Sequence, residues 1–342
     1  MDREQKILSL YACFKELGID KQIDYDKFYL YSMITHSTAI EGSTVTEIEN
    51  QLLFDEGISA KGRSIAEQLM NLDLKDAYEQ SLKYAKAHTD LSVNILKALS
   101  AIVMKNTGAI YNTALGQFSS TNGDLRLLNV TAGVGGRSYM NYSKVPQKLE
   151  EFCTSINNRR KSIDKTDIVE CYKLCFDIHY LLVTIHPWAD GNGRMSRLVM
   201  NQVQFELGII PTIINKDRKA EYIEALVATR EQENIEIFRE FMFEEHSRNI
   251  ETMISEYTDS LESDNIDIVP ANVPLNVPLN LTEREIKIIG LIKSNSNITA
   301  KELSEVLNVS DKTIKRDIAS LKERNILVRI GADKNGNWEI LI

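Results

Sequence analysis

The chain has 342 residues, of which 43% are hydrophobic and 26% charged, so it is long enough for two or three domains and has an ordinary globular composition. Its formal net charge of -9 argues against a protein whose whole surface binds nucleic acid or membranes through positive charge. No apolar run reaches membrane-spanning length and the N-terminus lacks the apolar core of a signal peptide, so we expect a cytoplasmic protein without membrane contact.

Helical patterns dominate the first 258 residues. A Thr-x-x-Glu capping box at Thr46 begins one helix. Apolar positions at helical spacing predict further helices over 69–84, 91–104, 145–157, 166–185 and 194–207. The segment Thr121–Tyr142 differs, because Asn122-Gly123 and three later glycines surround short apolar stretches. This turn chemistry predicts a β-hairpin, which we call the flap.

The composition changes after residue 258. Residues 259–281 are polar and carry Pro270, Pro274 and Pro278, the last two in a duplicated Asn-Val-Pro-Leu. Proline fixes φ and removes backbone donors, so this segment is predicted to be a stiff, extended linker. Residues 282–342 then predict three helices and a β-hairpin turning at Asn335-Gly336, the pattern of a winged helix-turn-helix.

The last predicted helix of this module carries the side chains that would meet DNA. Lys312, Thr313, Lys315 and Arg316 are expected to face the groove, mainly as phosphate contacts. The stretch from Leu281 to Ile342 holds 11 Lys/Arg against 9 Asp/Glu, however, which is weak charge for a DNA-binding domain. A module for protein interaction or dimerisation, with these charges in solvent, is therefore an equal alternative.

The segment His186-Pro-Trp-Ala-Asp-Gly-Asn-Gly-Arg-Met-Ser-Arg197 lies between two predicted helices and carries the chemistry. The amides of Gly191, Asn192 and Gly193 would begin the second helix, where unpaired N–H groups and the helix dipole attract anions. A base, an acid and two arginines accompany this cradle: His186, Asp190, Arg194 and Arg197. The set is typical of phosphoryl-type transfer. The alternative is a tight interhelical turn with His186 as the helix C-cap and the arginines in solvent.

This segment resembles the signature of the Fic family, His-x-Phe-x-Asp/Glu-Gly-Asn-Gly-Arg-x-x-Arg, with Trp188 where phenylalanine is usual. The resemblance implies a protein adenylyltransferase in which His186 deprotonates the target hydroxyl and Asp190 holds Mg²⁺ on ATP. It also implies that Asn192 and the amides of Gly191 and Gly193 hold the α-phosphate, and that the two arginines hold the outer phosphates. Tyr222 would lie near the adenine, and the flap would align the target backbone.

Upstream, Ser37-Thr-Ala-Ile-Glu41-Gly42 lies at the end of a predicted helix, and Gly42 is its natural stop. It resembles the inhibitory Ser/Thr-x-x-x-Glu-Gly/Asn motif found N-terminal to the core of many Fic proteins. The resemblance implies that Glu41 pairs with Arg197 and competes with the γ-phosphate of ATP. Some relatives use this glutamate to remove AMP, so the reverse reaction stays open.

The sequence thus predicts a mainly α fold, a Fic-type helical core with a β-hairpin flap, followed by a small winged-helix α+β domain. The expected divisions are 1–100 with the inhibitory motif, 101–258 as the catalytic core, 259–281 as linker and 282–342 as winged helix. The predicted activity moves AMP from ATP to a Ser, Thr or Tyr hydroxyl of a target protein or of the chain itself. A DNA-binding transcriptional regulator with a nucleotide-sensing core and an AMP-removing enzyme are the alternatives. DNA and a second copy of the chain, as a homodimer, are further expected partners, and nucleotides other than ATP stay open.

Overall fold

The computed structural model of the chain contains two compact units, Met1–Asn276 and Val277–Ile342. The described residues are 2–22, 25–132, 138–263, 283–294, 296, 298–307, 309–323, 326–330 and 337–340. The predicted proline linker therefore lies outside the described residues, except for its first five residues, which continue a helix to Ser263. No helix among the described residues is both long and apolar enough to cross a bilayer.

The first unit is almost entirely helical, as predicted. Its helices are α1 Arg3–Glu16, α2 Tyr25–Ile40, α3 Glu47–Asp55, α4 Ile65–Lys86, α5 Val93–Val103, α6 Val145–Ser162, α7 Ile168–Ile185, α8 Asn192–Leu207, α9 Lys219–Gln232 and α10 Ile235–Ser263. Local chemistry explains several of the starts. Thr46 with Glu49 and Ser64 with Glu67 form complete capping boxes at α3 and α4, which satisfy backbone donors that the first turn leaves unpaired.

Helices α7 and α8 form the centre of this unit. They pack against each other, and α8 also packs on α4, while α1 packs along α10. One continuous cluster of buried side chains runs from α1 to α10 and includes Tyr172, Phe176, Met195 and Val199 at 0% exposure. Because the turn between α7 and α8 is anchored by two central helices, the residues in it are held rigidly at the edge of the core.

Two short β features lie between α5 and α6. Strands β1 Ile110–Thr113 and β2 Gly116–Ser119 pair antiparallel, a hairpin that the sequence did not indicate. The flap follows: Thr131 bridges Ser138, and the Tyr139 amide donates to the Val130 carbonyl at 2.9 Å. The two arms of the predicted hairpin are thus antiparallel, and residues 133–137 between them lie outside the described part. Asn122-Gly123 is not a hairpin tip but ends a 3-10 turn over Ser120–Asn122.

The second unit follows the winged helix-turn-helix order. Its elements are α11 Glu283–Ser294, α12 Ala300–Val306, α13 Asp311–Glu323, β3 Leu327–Ile330 and β4 Asn337–Ile340. Its own core contains Ile288, Leu303, Ile314 and Trp338, and the Trp338 indole donates to the Ile298 carbonyl at 2.8 Å. Thr299 and Glu302 form a capping box at the start of α12. The turn predicted at Asn335-Gly336 lies outside the described residues.

Candidate functional site

The turn between α7 and α8 is fixed by a buried tryptophan. Trp188 is 0% exposed, and its indole N–H donates to the Gly123 carbonyl at 3.2 Å. Its backbone N–H donates to Asn192 Oδ1 at 3.1 Å, and its carbonyl accepts from Asn192 Nδ2 at 2.9 Å. The tryptophan therefore replaces phenylalanine without an unsatisfied donor, because the flap segment supplies the acceptor that phenylalanine does not need.

His186 closes α7 in the left-handed conformation, with φ 52° and ψ 62°. A non-glycine residue in this region is strained by about 1–3 kcal/mol and persists only where its surroundings hold it. Burial lowers the pKa of its imidazole to about 4, so the ring is neutral at pH 7. Nδ1 lies 3.3 Å from the Val183 carbonyl oxygen, a contact that requires the proton on Nδ1. Nε2 then carries the lone pair of a general base.

An anion cradle begins α8. Gly191 is in the left-handed conformation at φ 80° and serves as the N-cap without any side-chain partner for the first amides. Asp190 precedes it, with Oδ1 accepting from the Gly191 amide at 2.6 Å and 59% of its side chain exposed. An accessible carboxylate beside an anion site suits Mg²⁺, which takes one or two carboxylates together with phosphate oxygens and water.

Both signature arginines are buried, each at 3% exposure, so the interpretation that leaves them in solvent is wrong. Arg194 lies 3.1 Å from Met104 Sδ and 3.9 Å from Asp190. Arg197 donates from Nε to the Ser37 hydroxyl at 2.8 Å. Among the described residues, Arg194 Nε and Arg197 Nη1 are buried donors without a hydrogen-bond partner. Buried charged donors left unpaired are costly, which is consistent with a site built for a phosphate.

The carboxylate of Glu41 lies inside this cradle. Its Oε1 accepts from Arg197 Nη2 at 2.6 Å, and a Cβ added to Gly193 would come within 2.5 Å of the same oxygen. Burial alone would raise the pKa of Glu41, but the Arg197 guanidinium, together with the charges of Arg194 and Lys219, outweighs burial and holds the pKa below its usual value. Arg197 Nη2 also donates to the Ser37 carbonyl at 2.9 Å. Ser37 and Glu41 therefore act as one clamp on Arg197, and Gly42, at φ 107°, ends the segment after α2.

Two of the predicted nucleotide contacts have side chains that are engaged by other parts of the protein. Tyr222 is 1% exposed, and its hydroxyl is 3.0 Å from His179 Nε2, so it belongs to the core and offers no face to an adenine. The side chain of Asn192 is engaged by the backbone of Trp188, which leaves only its amide for a phosphate. Both side chains therefore support the structure around the site.

Three residues that contribute to the site had no signal in the sequence. Arg126 donates to the His186 carbonyl at 2.7 Å. Tyr139 stacks on the His186 ring with centroids 3.8 Å apart and planes 16° from parallel. Asn71 of α4 accepts from the Thr38 hydroxyl at 2.7 Å and so holds the segment that carries the predicted inhibitory motif. Each acts across a sequence separation of at least 33 residues and belongs to no local motif.

The residues predicted to face DNA lie on α13 in the second unit. Lys312, Lys315 and Arg316 are exposed. Thr313 is partly buried, with its hydroxyl 2.8 Å from that of Ser310, and Lys315 pairs with Asp311 of the same helix at 2.6 Å. Three of the four residues expected to face DNA are thus exposed, although the charges of Lys315 and Arg316 are each partly offset by an aspartate of the same helix.

Comparisons with known proteins agree with this geometry. Residues 90–204 match the model of the Fic/DOC family, and residues 284–336 match that of an HTH domain. The chain is 24% identical over 203 residues to protein adenylyltransferase fic-1 of Caenorhabditis elegans, and 28% identical over 203 residues to protein adenylyltransferase Fic of Drosophila persimilis. Each match covers 59% of this chain and 36% of the relative, so the chain spans little more than a third of these relatives' length.

Solved structures show the same fold. A Fic-domain-containing signaling protein from Bacteroides thetaiotaomicron superposes with a TM-score of 0.61 at 20% identity, covering 75% of this chain and 97% of that one. Fic-1 of C. elegans gives a TM-score of 0.59 at 20% identity, covering 76% and 73%. A Fic family protein from Desulfovibrio desulfuricans covers 98% of this chain and 95% of its own, with a TM-score of 0.56 at 17% identity.

Proposed function

We propose that the protein, whose residues 90–204 match the Fic/DOC family model, transfers AMP from ATP to a Ser, Thr or Tyr hydroxyl of a target protein or of itself. The observation that carries the proposal is the cradle at the start of α8. It combines an αL glycine N-cap, two buried arginines with unpartnered donors, and a carboxylate occupying the place of an anion, all beside a neutral histidine.

The reaction follows from these positions. The target hydroxyl oxygen attacks the α-phosphorus of ATP, the new O–P bond forms, and the bond from the α-phosphorus to the bridging oxygen breaks, releasing pyrophosphate. The hydroxyl proton passes to His186 Nε2, which then returns it to solvent. The α8 amides stabilise the charge that develops on the α-phosphate, and the α8 dipole adds to this effect.

We assign the remaining phosphates to the two signature arginines. Arg197 Nη1 and Arg194 Nε are the unpartnered donors that the outer phosphates would satisfy. Asp190 is the residue that would hold Mg²⁺, which neutralises phosphate charge when bound. The adenine has no aromatic partner in Tyr222, so we expect the base to contact residues other than this tyrosine.

Autoinhibition is the second part of the proposal. Glu41 Oε1 occupies the space beside Gly193 and engages Arg197, so the outer phosphates and Glu41 compete for one guanidinium. ATP then binds productively only when Glu41 leaves. The same carboxylate could position water beside an AMP–protein bond, and the assay must therefore distinguish addition of AMP from removal.

The test is transfer of label from α-³²P-ATP with Mg²⁺ to protein, comparing wild type, Glu41→Gly, and Glu41→Gly combined with His186→Ala. We expect label to rise with the first change and to vanish with the second. Absence of label in every variant, with cell lysate as the source of targets, would overturn the transferase proposal. Loss of label from a premodified target on adding wild-type protein would indicate AMP removal instead.

A DNA-binding regulator is the second candidate, favoured by the HTH match over residues 284–336. Lys312, Lys315 and Arg316 present positive charge on α13. Replacing each of them by alanine should weaken binding to a DNA duplex. Each ion pair with a phosphate that is removed in this way should make the slope of log K against log salt shallower by about one. Salt-independent behaviour, or no binding by the full chain, favours the interaction-module interpretation.

A further inference from the structure

Arg126 is an unusual buried charge. It is 1% exposed, and among the described ion pairs none includes its guanidinium. Burial lowers the pKa of Arg126 accordingly. A guanidinium removed from water without a carboxylate must be compensated by hydrogen bonds, so its partners show what it is there to hold.

Those partners are three backbone carbonyls from three segments. Nε donates to the His186 carbonyl at 2.7 Å, Nη1 donates to Leu128 at 2.7 Å, and Nη2 donates to Met140. Leu128 and Met140 belong to opposite arms of the flap. The Arg126 amide also donates to the Pro187 carbonyl at 3.0 Å. One residue therefore ties both flap arms to the catalytic turn.

The flap also contacts the imidazole ring of His186 directly. Tyr139, next to Met140, stacks on the His186 ring, and the Arg230 guanidinium covers the Tyr139 ring at 5.4 Å. The backbone of His186 is in the strained αL region, so its ring direction depends on what holds its carbonyl. Arg126 fixes the carbonyl, and the flap arms that Arg126 joins fix the ring.

We propose that Arg126 is a positioning residue for the transfer reaction. It sets the orientation of His186 and the spacing of the flap arms, and so fixes the general base relative to the target hydroxyl that the flap aligns. The inference rests on the proposed AMP transfer. Arg126 itself touches neither ATP nor the reacting atoms. Its loss should therefore lower kcat while leaving the binding of ATP nearly unchanged.

The kinetic test is made in the Glu41→Gly background. Arg126→Gln, which cannot reach three carbonyls, should lower kcat for protein labelling by at least 30-fold with the KM for ATP within about twofold. Arg126→Lys keeps the charge and some of the donors, so it should recover at least threefold of that loss. Equal kcat in Arg126→Gln, or a change confined to the KM for ATP, would overturn the proposal.

Arg160 provides the matched control. It is also a buried arginine, at 6% exposure, but it donates to the Thr89 carbonyl and pairs with Glu206 near the other end of α8. Arg160→Gln should lower the melting temperature at least as much as Arg126→Gln, yet leave kcat within twofold. If kcat and melting temperature fall together in both variants, the effect of Arg126 is one of general stability and the positioning role is refuted.

A measurement without catalysis separates this inference from the proposed activity. The Tyr139 amide bonds to Val130 across the flap, so its hydrogen exchange reports the pairing of the arms. Exchange at Tyr139 should accelerate at least tenfold in Arg126→Gln and stay unchanged in Arg160→Gln. Unchanged exchange in Arg126→Gln refutes the bridging role whether or not the protein labels a target. Faster exchange at Tyr139 in Arg126→Gln, with no labelling by Glu41→Gly, would support the bridging role of Arg126 and refute the transferase proposal.

Discussion

Replacing Glu41 perturbs one contact that the structure defines well. Its Oε1 lies 2.6 Å from Arg197 Nη2, and Arg197 is at the same time bound by the hydroxyl and the carbonyl of Ser37. Glu41→Gln keeps the length of the side chain and its carbonyl oxygen but removes the charge. Glu41→Gly removes the side chain and leaves Arg197 with its two hydrogen bonds to Ser37. The two variants therefore separate electrostatic competition from steric occupation of the cradle.

The magnitude follows from the geometry. Two unit charges at about 4 Å attract by roughly 4 kcal/mol at an effective dielectric of 20. Part of this is offset, because Arg197 is buried and a third of the Glu41 side chain is exposed to water. A hydrogen bond between charged groups contributes about 1.5–3 kcal/mol net. Since ATP must displace the contact, Glu41→Gly should raise kcat/KM for ATP by about 10- to 150-fold, and Glu41→Gln by an intermediate factor.

The assay is initial-rate labelling with α-³²P-ATP over a range of ATP concentrations. Glu56→Gln is the matched control, because Glu56 is an exposed glutamate that ends the neighbouring helix α3, and it should change nothing. A gain in Glu41→Gly with none in Glu41→Gln would show that volume rather than charge excludes the nucleotide. Equal rates in wild type and Glu41→Gly, in a preparation that labels protein, would refute the competition for Arg197.

Three further predictions come from the same structure. Asn71→Leu removes the acceptor of Thr38 next to the inhibitory segment, so labelling should rise about 3- to 10-fold with Glu41 intact while the melting temperature falls. Gly193→Ala places a Cβ 3.1 Å from Arg197 Nη1, so binding of a fluorescent ATP analogue should weaken at least tenfold even without Glu41. Burial lowers the pKa of His246 to about 3. Because this pKa lies below the unfolded value near 6.5, the free energy of unfolding decreases as pH falls from 6.5 toward 3, by about 1.4 kcal/mol per pH unit. In His246→Phe, the free energy of unfolding measured with urea should therefore depend less steeply on pH over this range.

The parts that the sequence predicted are those whose physics is local. The α7–α8 turn, the capping box at Thr46 and the winged-helix order each depend on residues within a few positions of one another. Glu41 and Arg197 are 156 residues apart, and their contact was predicted only through a resemblance between two short motifs. Periodicity alone places both on helices and does not bring them together.

Other contacts were out of reach for a physical reason. Arginines are mostly exposed, so the burial of Arg126 is not expected from its residue type, and Tyr222 was expected near the adenine only through the family resemblance. The structure reverses both, because backbone carbonyls on converging loops can solvate a buried guanidinium, whereas the Tyr222 hydroxyl finds His179 inside the core. Such partners are backbone atoms or side chains from distant segments. Because every residue has a backbone carbonyl, the sequence does not indicate which carbonyl a distant arginine will bind.

The position of Glu41 also connects the proposed inhibition to the stability of the protein without nucleotide. A site that binds triphosphate must leave donors unpaired in its absence, and buried unpaired donors are unfavourable. Glu41 and Ser37 accept hydrogen bonds from Nε and Nη2 of Arg197, and among the described residues Nη1 has no partner. Under the proposed autoinhibition, the contact between Glu41 and Arg197 therefore stabilises the folded protein and also competes with the nucleotide. Glu41→Gly should then lower the melting temperature without nucleotide and show a larger upward shift than wild type on adding ATP. A melting temperature that is unchanged in both conditions would show that the clamp on Arg197 contributes nothing to folding.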